Sequence, residues 1–240
     1  MGDRPVKDEV VAKRLPVRDA ATLVIVDATA SPPVILAGRR AGAHVFMAGK
    51  LVFPGGRIDP ADLKLAPRYA LPDDCRTRLT SGVGARFGER RATALALAAI
   101  RETFEETGIM IGRRDGAFSS TLPVWAEFAS EGVVPDPYAL VPFARAVTPP
   151  QRVRRFDTRF FAVDASAIAR KVPFEERPTD EFDLVRWFSI DEMLGEDLAP
   201  ITRQVLADLG DRLARGTLFD AAEPMPCYRR RTSGLSRELL

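Results

Sequence analysis

The stretch "RETFEETGI", residues 101 to 109, places three glutamates within five positions and then stops on a glycine. Like charges one helical turn apart cost a few tenths of a kcal/mol per pair, so the crowding needs a reason. The segment closes a longer run, "ERRATALALAAIRETFEET" (89 to 107), which is alanine-rich and free of Gly and Pro. That composition predicts a helix ending where Gly108 supplies a left-handed residue. At about 100° per residue, Glu105 and Glu106 fall roughly 60° and 40° on either side of Glu102. All three carboxylates therefore share one face. Leu97, Ile100 and Phe104 make a buried stripe on the other face, so the acids are expected to project away from the core.

Around this helix the chain has 240 residues, 46% of them hydrophobic, enough for one large domain or two small ones. Lys+Arg 35 against Asp+Glu 33 leaves a formal charge of only +2, so no net field selects nucleic acid or a membrane as partner. Cys75 and Cys227 lie far apart with no Cys-x-x-Cys spacing, which argues against a disulfide framework or a zinc site. The N-terminus has mixed charge and no signal-peptide core, and no apolar run reaches membrane-spanning length. A cytoplasmic protein is expected.

Upstream, "AATLVIVDA" (20 to 28), the turn "TASPP" and "VILAGRR" (34 to 40) read as a hairpin. "GKLVFPGG" (49 to 56) reads as a third strand ending in a Pro-Gly-Gly turn. Residues 59 to 88 break into pieces rich in Arg, Asp, Pro and Gly, an irregular insertion with one short helix near Asp62 to Leu65. Strands are expected at 109 to 111, 139 to 147, 159 to 164 and 182 to 188, and helices near 121 to 131 and 200 to 215. The order lacks βαβ repetition, which favours an α+β fold or mixed-sheet sandwich. The basic end, "CYRRRTSGLSRELL", reads as a loosely held terminus.

A "PGG" turn followed by "RETFEETGI" resembles the Nudix box, at Gly55, Gly56, Arg101, Glu102, Glu105, Glu106, Gly108 and Ile109. Its second half, R-E-U-x-E-E-x-G-U with U apolar, is matched except that Thr103 stands at the first U. The first half departs, because Arg101 follows Gly56 by 45 positions and a long insertion interrupts the box. The family's isolated glutamate falls nearest to Asp62. Such an insertion, with "RFDTRFF" (155 to 161) after "VTPP", is similar to the coenzyme A diphosphatase (nudix motif 19-like) branch. The resemblance implies a mixed β-sheet sandwiched between helices, an α/β/α sandwich. It covers residues 18 to 215, with the insertion at about 60 to 88, an N-terminal extension (1 to 17) and a basic C-terminal tail (216 to 240).

It also implies a divalent-metal hydrolase. Cutting a pyrophosphate needs charge screening at phosphorus and an acidified water, and hard cations such as Mg²⁺ or Mn²⁺ with carboxylate ligands supply both. Glu102, Glu105 and Glu106 are the expected ligands, and Glu102, Glu105 and Arg101 are also counted as catalytic. Arg101 is expected to hold a box acid through a charge-assisted hydrogen bond. Gly55 and Gly56 let the backbone turn beside the helix. The general base is either Glu102 or a carboxylate of "PFEERPTDEFD" (173 to 183), where Glu175, Glu176, Asp180 and Glu181 are available and Glu181 is the first choice. Gly55, Gly56, Arg39 and Arg159 are the candidates for substrate binding, the two arginines at its phosphates. His44 is a weaker candidate for substrate contact.

Two function classes follow. One is a pyrophosphohydrolase acting on a nucleoside diphosphate linked to another moiety: coenzyme A or acyl-coenzyme A first, then ADP-ribose, NADH or a dinucleotide polyphosphate. The other is a nucleotide-sensing module of the same fold, which loss of the helix glutamates would signal; they are intact. The expected partner is a small-molecule nucleotide, with no nucleic acid and no membrane span, and a homodimer is left open.

Overall fold

A computed structural model describes residues 16–42, 48–84, 87–150, 152, 154–176, 179–231 and 234–240. His44, Arg86 and most of the N-terminal extension lie outside these, as does the side chain of Glu175.

The central strand is β1 (Arg18–Asp27), and its continuous apolar run is explained by cover on both faces. Ala21, Leu23 and Ile25 enter one core and Val24 and Val26 the other. β1 pairs antiparallel with β2 (Val34–Arg40) at its far end. The expected third strand is two short ones, β3 (Leu51–Val52) on β2 and β4 (Gly55–Arg57) on β1. Pro54, which has no N–H for a ladder, stands where the chain changes partner, and its carbonyl accepts from Leu23 N at 3.0 Å.

The insertion holds more order than its composition suggests. It forms α1 (Pro60–Leu65) and also α2 (Asp73–Thr80), where no helix was expected. Polar residues hide the α2 signal, but Cys75 and Leu79, four positions apart, are buried in the core of the long helix. That helix, α3 (Glu89–Thr107), ends on Gly108 at φ 72°, whose N–H bonds Phe104 O at 2.9 Å. A Cβ on Gly108 would stand 2.4 Å from Val172 O, so close approach as well as φ requires glycine. Residues 92 to 100 of α3 are all buried, which makes it the centre of one core rather than a surface helix.

The remaining elements are β5 (Ile109–Arg113), α4 (Pro123–Ser130), β6 (Val134–Pro135), β7 (Val141–Val147), β8 (Phe156–Asp164), β9 (Ile168–Lys171), β10 (Phe182–Ser189), α5 (Ile190–Leu194) and α6 (Pro200–Arg215). Trp125 packs within α4 on Phe128, which meets Phe104 of α3 edge-on at 5.3 Å. β8 runs parallel to β1 from Arg18↔Phe156 to Val26↔Asp164. The main sheet has the order β10-β2-β1-β8-β7, and β6-β5-β9 form a small second sheet. α3 covers one face of the main sheet, while α6, through Val205, Leu206 and Leu209, covers the other. The result is the expected α/β/α arrangement of a mixed sheet.

The C-terminal tail departs from expectation. It forms β11 (Pro226–Arg231), parallel to β7, and β12 (Gly234–Leu239), antiparallel to β11. Met225, Cys227 and Tyr228 are buried, and Asp208 of α6 accepts from the Tyr228 hydroxyl and from Arg237 Nη2. These anchors outweigh the solvation of the neighbouring arginines, so residues 226 to 231 and 234 to 239 extend the domain's own sheet. Among the described residues no helix is long and apolar enough to cross a membrane.

Candidate active site

The site is assembled where α3 passes beneath β4. Gly56 lies so close to the helix that a Cβ there would stand 2.3 Å from Glu102 Oε1 and 2.6 Å from Oε2. Only glycine leaves that space to the carboxylate. Gly55 is equally confined, its Cβ position lying 2.4 Å from Ala21 O, and its N–H donates to Glu106 Oε2 at 2.9 Å. The two glycines therefore face two of the acids.

Arg101 ties the acids together from below. Its Nε and Nη2 each reach one oxygen of Asp62 at 3.0 Å, a two-point fork. Nη1 donates to Glu105 Oε2 at 2.6 Å and lies 3.0 Å from Glu102 Oε1, while Nη2 also donates to Arg57 O at 2.8 Å. Asp62 is fully buried and accepts from Asp59 N at 2.8 Å, closing a capping box at the start of α1. The insertion thus carries the acid that orients Arg101, and Asp59, which fixes it, is a contributor sequence reasoning did not single out; the S/T/D-x-x-D/E signature at 59 to 62 was its signal.

Thr103, the departure from the apolar pattern, is accommodated simply. It is buried and its hydroxyl bonds Ala99 O at 2.7 Å, so outwardly it packs as a small apolar residue.

The acids do not project into solvent as the helix angles suggested, because β4 and α1 fold over that face. Glu106 is 5% exposed, Glu102 19% and Glu105 35%. Burial, followed by the Glu102 charge, pushes the Glu106 carboxyl well above its ordinary range. Burial likewise raises Glu102, against the pull of Arg101. Asp62 is raised by burial, with its bonds to Arg101 working the other way. On Arg101 burial is outweighed by Asp62, Glu102 and Glu105, so the guanidinium is held charged.

β10 and β2 bring a further acid to this cluster. Pairing of Phe182 with Arg40 sets Glu181 beside Arg40, at 2.8 Å between Nη2 and Oε2. Both act on Glu106, Glu181 raising its carboxyl and Arg40 lowering it. Glu181, at 38% side-chain exposure, is thus gathered with the helix acids, and Arg40 enters the site as its partner.

The arginines expected at substrate phosphates are placed differently. Arg159 is fully buried, bonded to Asp19 Oδ1 at 3.1 Å and Asp157 O at 2.9 Å, with its guanidinium over Phe87. The expectation of a phosphate contact there is corrected: its charge is taken up inside the protein, because β8 turns this side chain toward the core beside Asp19 and Asp157. Arg39 pairs with Glu196 at 3.1 Å and is partly exposed, so it remains open to solvent.

The donor set consists of hard carboxylate oxygens, two of them on groups that burial and mutual charge press toward protonation, which is what a divalent cation would relieve. As the side chains stand, no three His, Cys, Asp or Glu groups converge on one point among the described residues. The reason is local: Arg101 and the Gly55 amide hold the carboxylates instead.

No protein-family model matches the chain. Its fold does match solved structures. A Nudix hydrolase from Alicyclobacillus acidocaldarius is 28% identical, aligned over 85% of this chain and 96% of that one with a TM-score of 0.65. The Nudix domain of Shewanella oneidensis NrtR, in complex with ADP ribose, is 13% identical over 83% and 90%, with a TM-score of 0.48. A MutT Nudix hydrolase from Burkholderia pseudomallei is 17% identical over 81% and 99%, with a TM-score of 0.45.

Proposed function

We propose that this chain, which has the Nudix fold and is a pyrophosphohydrolase of that type, cleaves the pyrophosphate of a nucleoside diphosphate linked to another moiety, using Mg²⁺ or Mn²⁺ held by Glu102, Glu105 and Glu106. The observation that carries the proposal is the shared helix face of these carboxylates under the Gly55-Gly56 turn, Glu102 and Glu105 held by Arg101 and Glu106 by the Gly55 amide, with Arg101 itself fixed by Asp62. When bound, the ion supplies Lewis acidity toward the phosphate oxygens and the attacking water. Arg101 presents Glu102 and Glu105 in fixed orientation and stays off the substrate. Glu181, within the same charge cluster, is the candidate proton acceptor, and Arg40 keeps its carboxylate in place. The two cysteines are free and buried, which fits a reducing, cytoplasmic setting.

Coenzyme A or an acyl derivative is the leading substrate, on the resemblance carried by the insertion and "RFDTRFF". Its 3′-phosphate needs a cation away from the scissile bond. Arg76 is engaged by Asp73 and Glu89, and Arg78 by Glu223 O. Lys64 lines an open groove of about 390 Å³ with Ser119, Ser120, Thr121 and Arg68, whose Nη1 donates to Ser119 O at 2.8 Å. The groove suits a phosphate.

The test is a comparison of kcat/KM with Mg²⁺, products read by mass. Coenzyme A should yield 3′,5′-ADP and 4′-phosphopantetheine, and dephospho-coenzyme A should react about tenfold less efficiently, equivalent to about 1.4 kcal/mol. Faster turnover of ADP-ribose, NADH or a dinucleotide polyphosphate would overturn the coenzyme A assignment and leave the pyrophosphatase standing.

A further inference from the structure

Topology gathers at one end of the main sheet arginines that are remote in sequence. β1 and β8 begin at this end, and β4, β7 and β11 finish there, since Arg57 pairs with Ala20, Val147 with Asp157 and Arg229 with Val147. Arg57, Arg18, Arg152, Arg154 and Arg230 consequently share one rim, Arg152 and Arg154 in the turn between β7 and β8. All five are exposed. Among the described residues, the side chains of these five form no ion pair or hydrogen bond. The carboxylates on the same strand starts do not offset them. Asp19 is turned onto Arg91 and Arg159, and Asp157 onto Arg145 at 2.6 Å and Arg159 at 3.2 Å.

From β4 across β1, β8 and β7 to β11 is four strand spacings, about 19 Å. A row of that length outreaches the two phosphorus atoms of one pyrophosphate. It begins beside the hydrolytic site, since the Arg57 carbonyl accepts from Arg101.

We propose that this rim binds the phosphate backbone of single-stranded nucleic acid without regard to sequence. Guanidinium forks match phosphate oxygens, and a line of them tracks a chain of phosphates better than a single anion. Among the described residues of these strands and of the turn between β7 and β8 no large apolar side chain is fully exposed, and Val17, just before β1, is the exposed one beside them, so no exposed aromatic there reads bases and no broad apolar face is offered to a bilayer. The formal charge of +2 points away from nucleic acid only because it averages this end with the rest of the molecule. The proposal does not depend on which nucleotide is hydrolysed.

The probe is a mixed-sequence, 3′-fluorescein-labelled oligonucleotide of about twelve nucleotides with a 5′-hydroxyl, which presents no pyrophosphate, followed by anisotropy from 50 to 300 mM KCl. About four phosphate contacts predict a slope of log K against log salt near −3, at roughly −0.7 per contact. The Arg18→Gln, Arg152→Gln, Arg154→Gln, Arg230→Gln variant should bind at least tenfold more weakly and show a slope smaller by about 2. Its melting temperature and hydrolysis of a small nucleotide pyrophosphate should be unchanged, and lysine at the same four positions should restore most of the binding. Absence of wild-type binding at 50 mM KCl, or equal binding by the glutamine variant, overturns the proposal. So does tighter wild-type binding to phosphatidylserine-containing vesicles than to the oligonucleotide, which assigns the rim to membranes.

Discussion

Glu106→Gln is expected to remove hydrolysis and, in the absence of metal, to make the protein more stable. Loss of one carboxylate ligand forfeits several kcal/mol of transition-state stabilisation, a fall in kcat of roughly a thousandfold or more. The stability gain follows from burial. In the fold, Glu106 is held well above its ordinary value of 4.5, to which it returns in the unfolded chain. The unfolded state therefore gives up its proton first as pH rises, and the metal-free wild type loses stability from about pH 4.5 up to the folded-state pKa. Glutamine does not titrate. The two melting curves should coincide in acid and separate above that window by a few degrees, at roughly 2–4 °C per kcal/mol for a chain of this size. Glu105→Gln should also cripple turnover, but without the gain, because Glu105 is more open to solvent. Equal melting temperatures of Glu106→Gln and wild type at neutral pH would contradict the buried-charge account.

Asp62→Ala should be the most destabilising single change in the insertion. Arg101 would keep Glu105 and Glu102 but lose its two-point fork, leaving a buried cation short of partners. Breaking one side of such a pair costs about 3–5 kcal/mol, which corresponds to a melting temperature lower by on the order of 10 °C. Asp62→Glu should recover part of that loss, since the charge returns with a longer reach. Activity should fall as well, because Glu102 and Glu105 are oriented through Arg101. A drop of under about 2 °C would mean that the helix acids alone satisfy Arg101, and that the insertion is not coupled to the site.

How much of this was legible beforehand depended on the range of the interactions. The helix from 89 to 107, its Gly108 stop and the shared face of its glutamates are set within a few turns of chain, and the structure reproduces them. The split at Pro54 needed knowledge of which strand each half would join. The burial of the acids was not legible, because the elements that cover them, β4 and α1, arrive from 45 positions or so away in sequence, as Gly56 does relative to Arg101. Arg159 looked like a strand-end cation, but strand register turns it onto Asp19 and Asp157. The tail read as polar because its arginines outnumber Met225, Cys227 and Tyr228, yet three buried side chains and a bond to Asp208 decide its place. The pairing of Glu181 with Arg40 came from register between β10 and β2, which composition does not encode.

The central claim, that the α3 carboxylates bind the divalent ion, is tested most directly by titrating Mn²⁺ into metal-free protein calorimetrically, in two buffers of different ionisation enthalpy, beside a thermal melt. The wild type should bind with release of protons, because burial raises the Glu106 and Glu102 carboxyls while the ion requires them ionised, and its melting temperature should rise with Mn²⁺ concentration. The Glu105→Gln, Glu106→Gln variant should show weak binding, little proton release and a much smaller rise. Equal binding and an equal rise in both proteins would place the ion elsewhere.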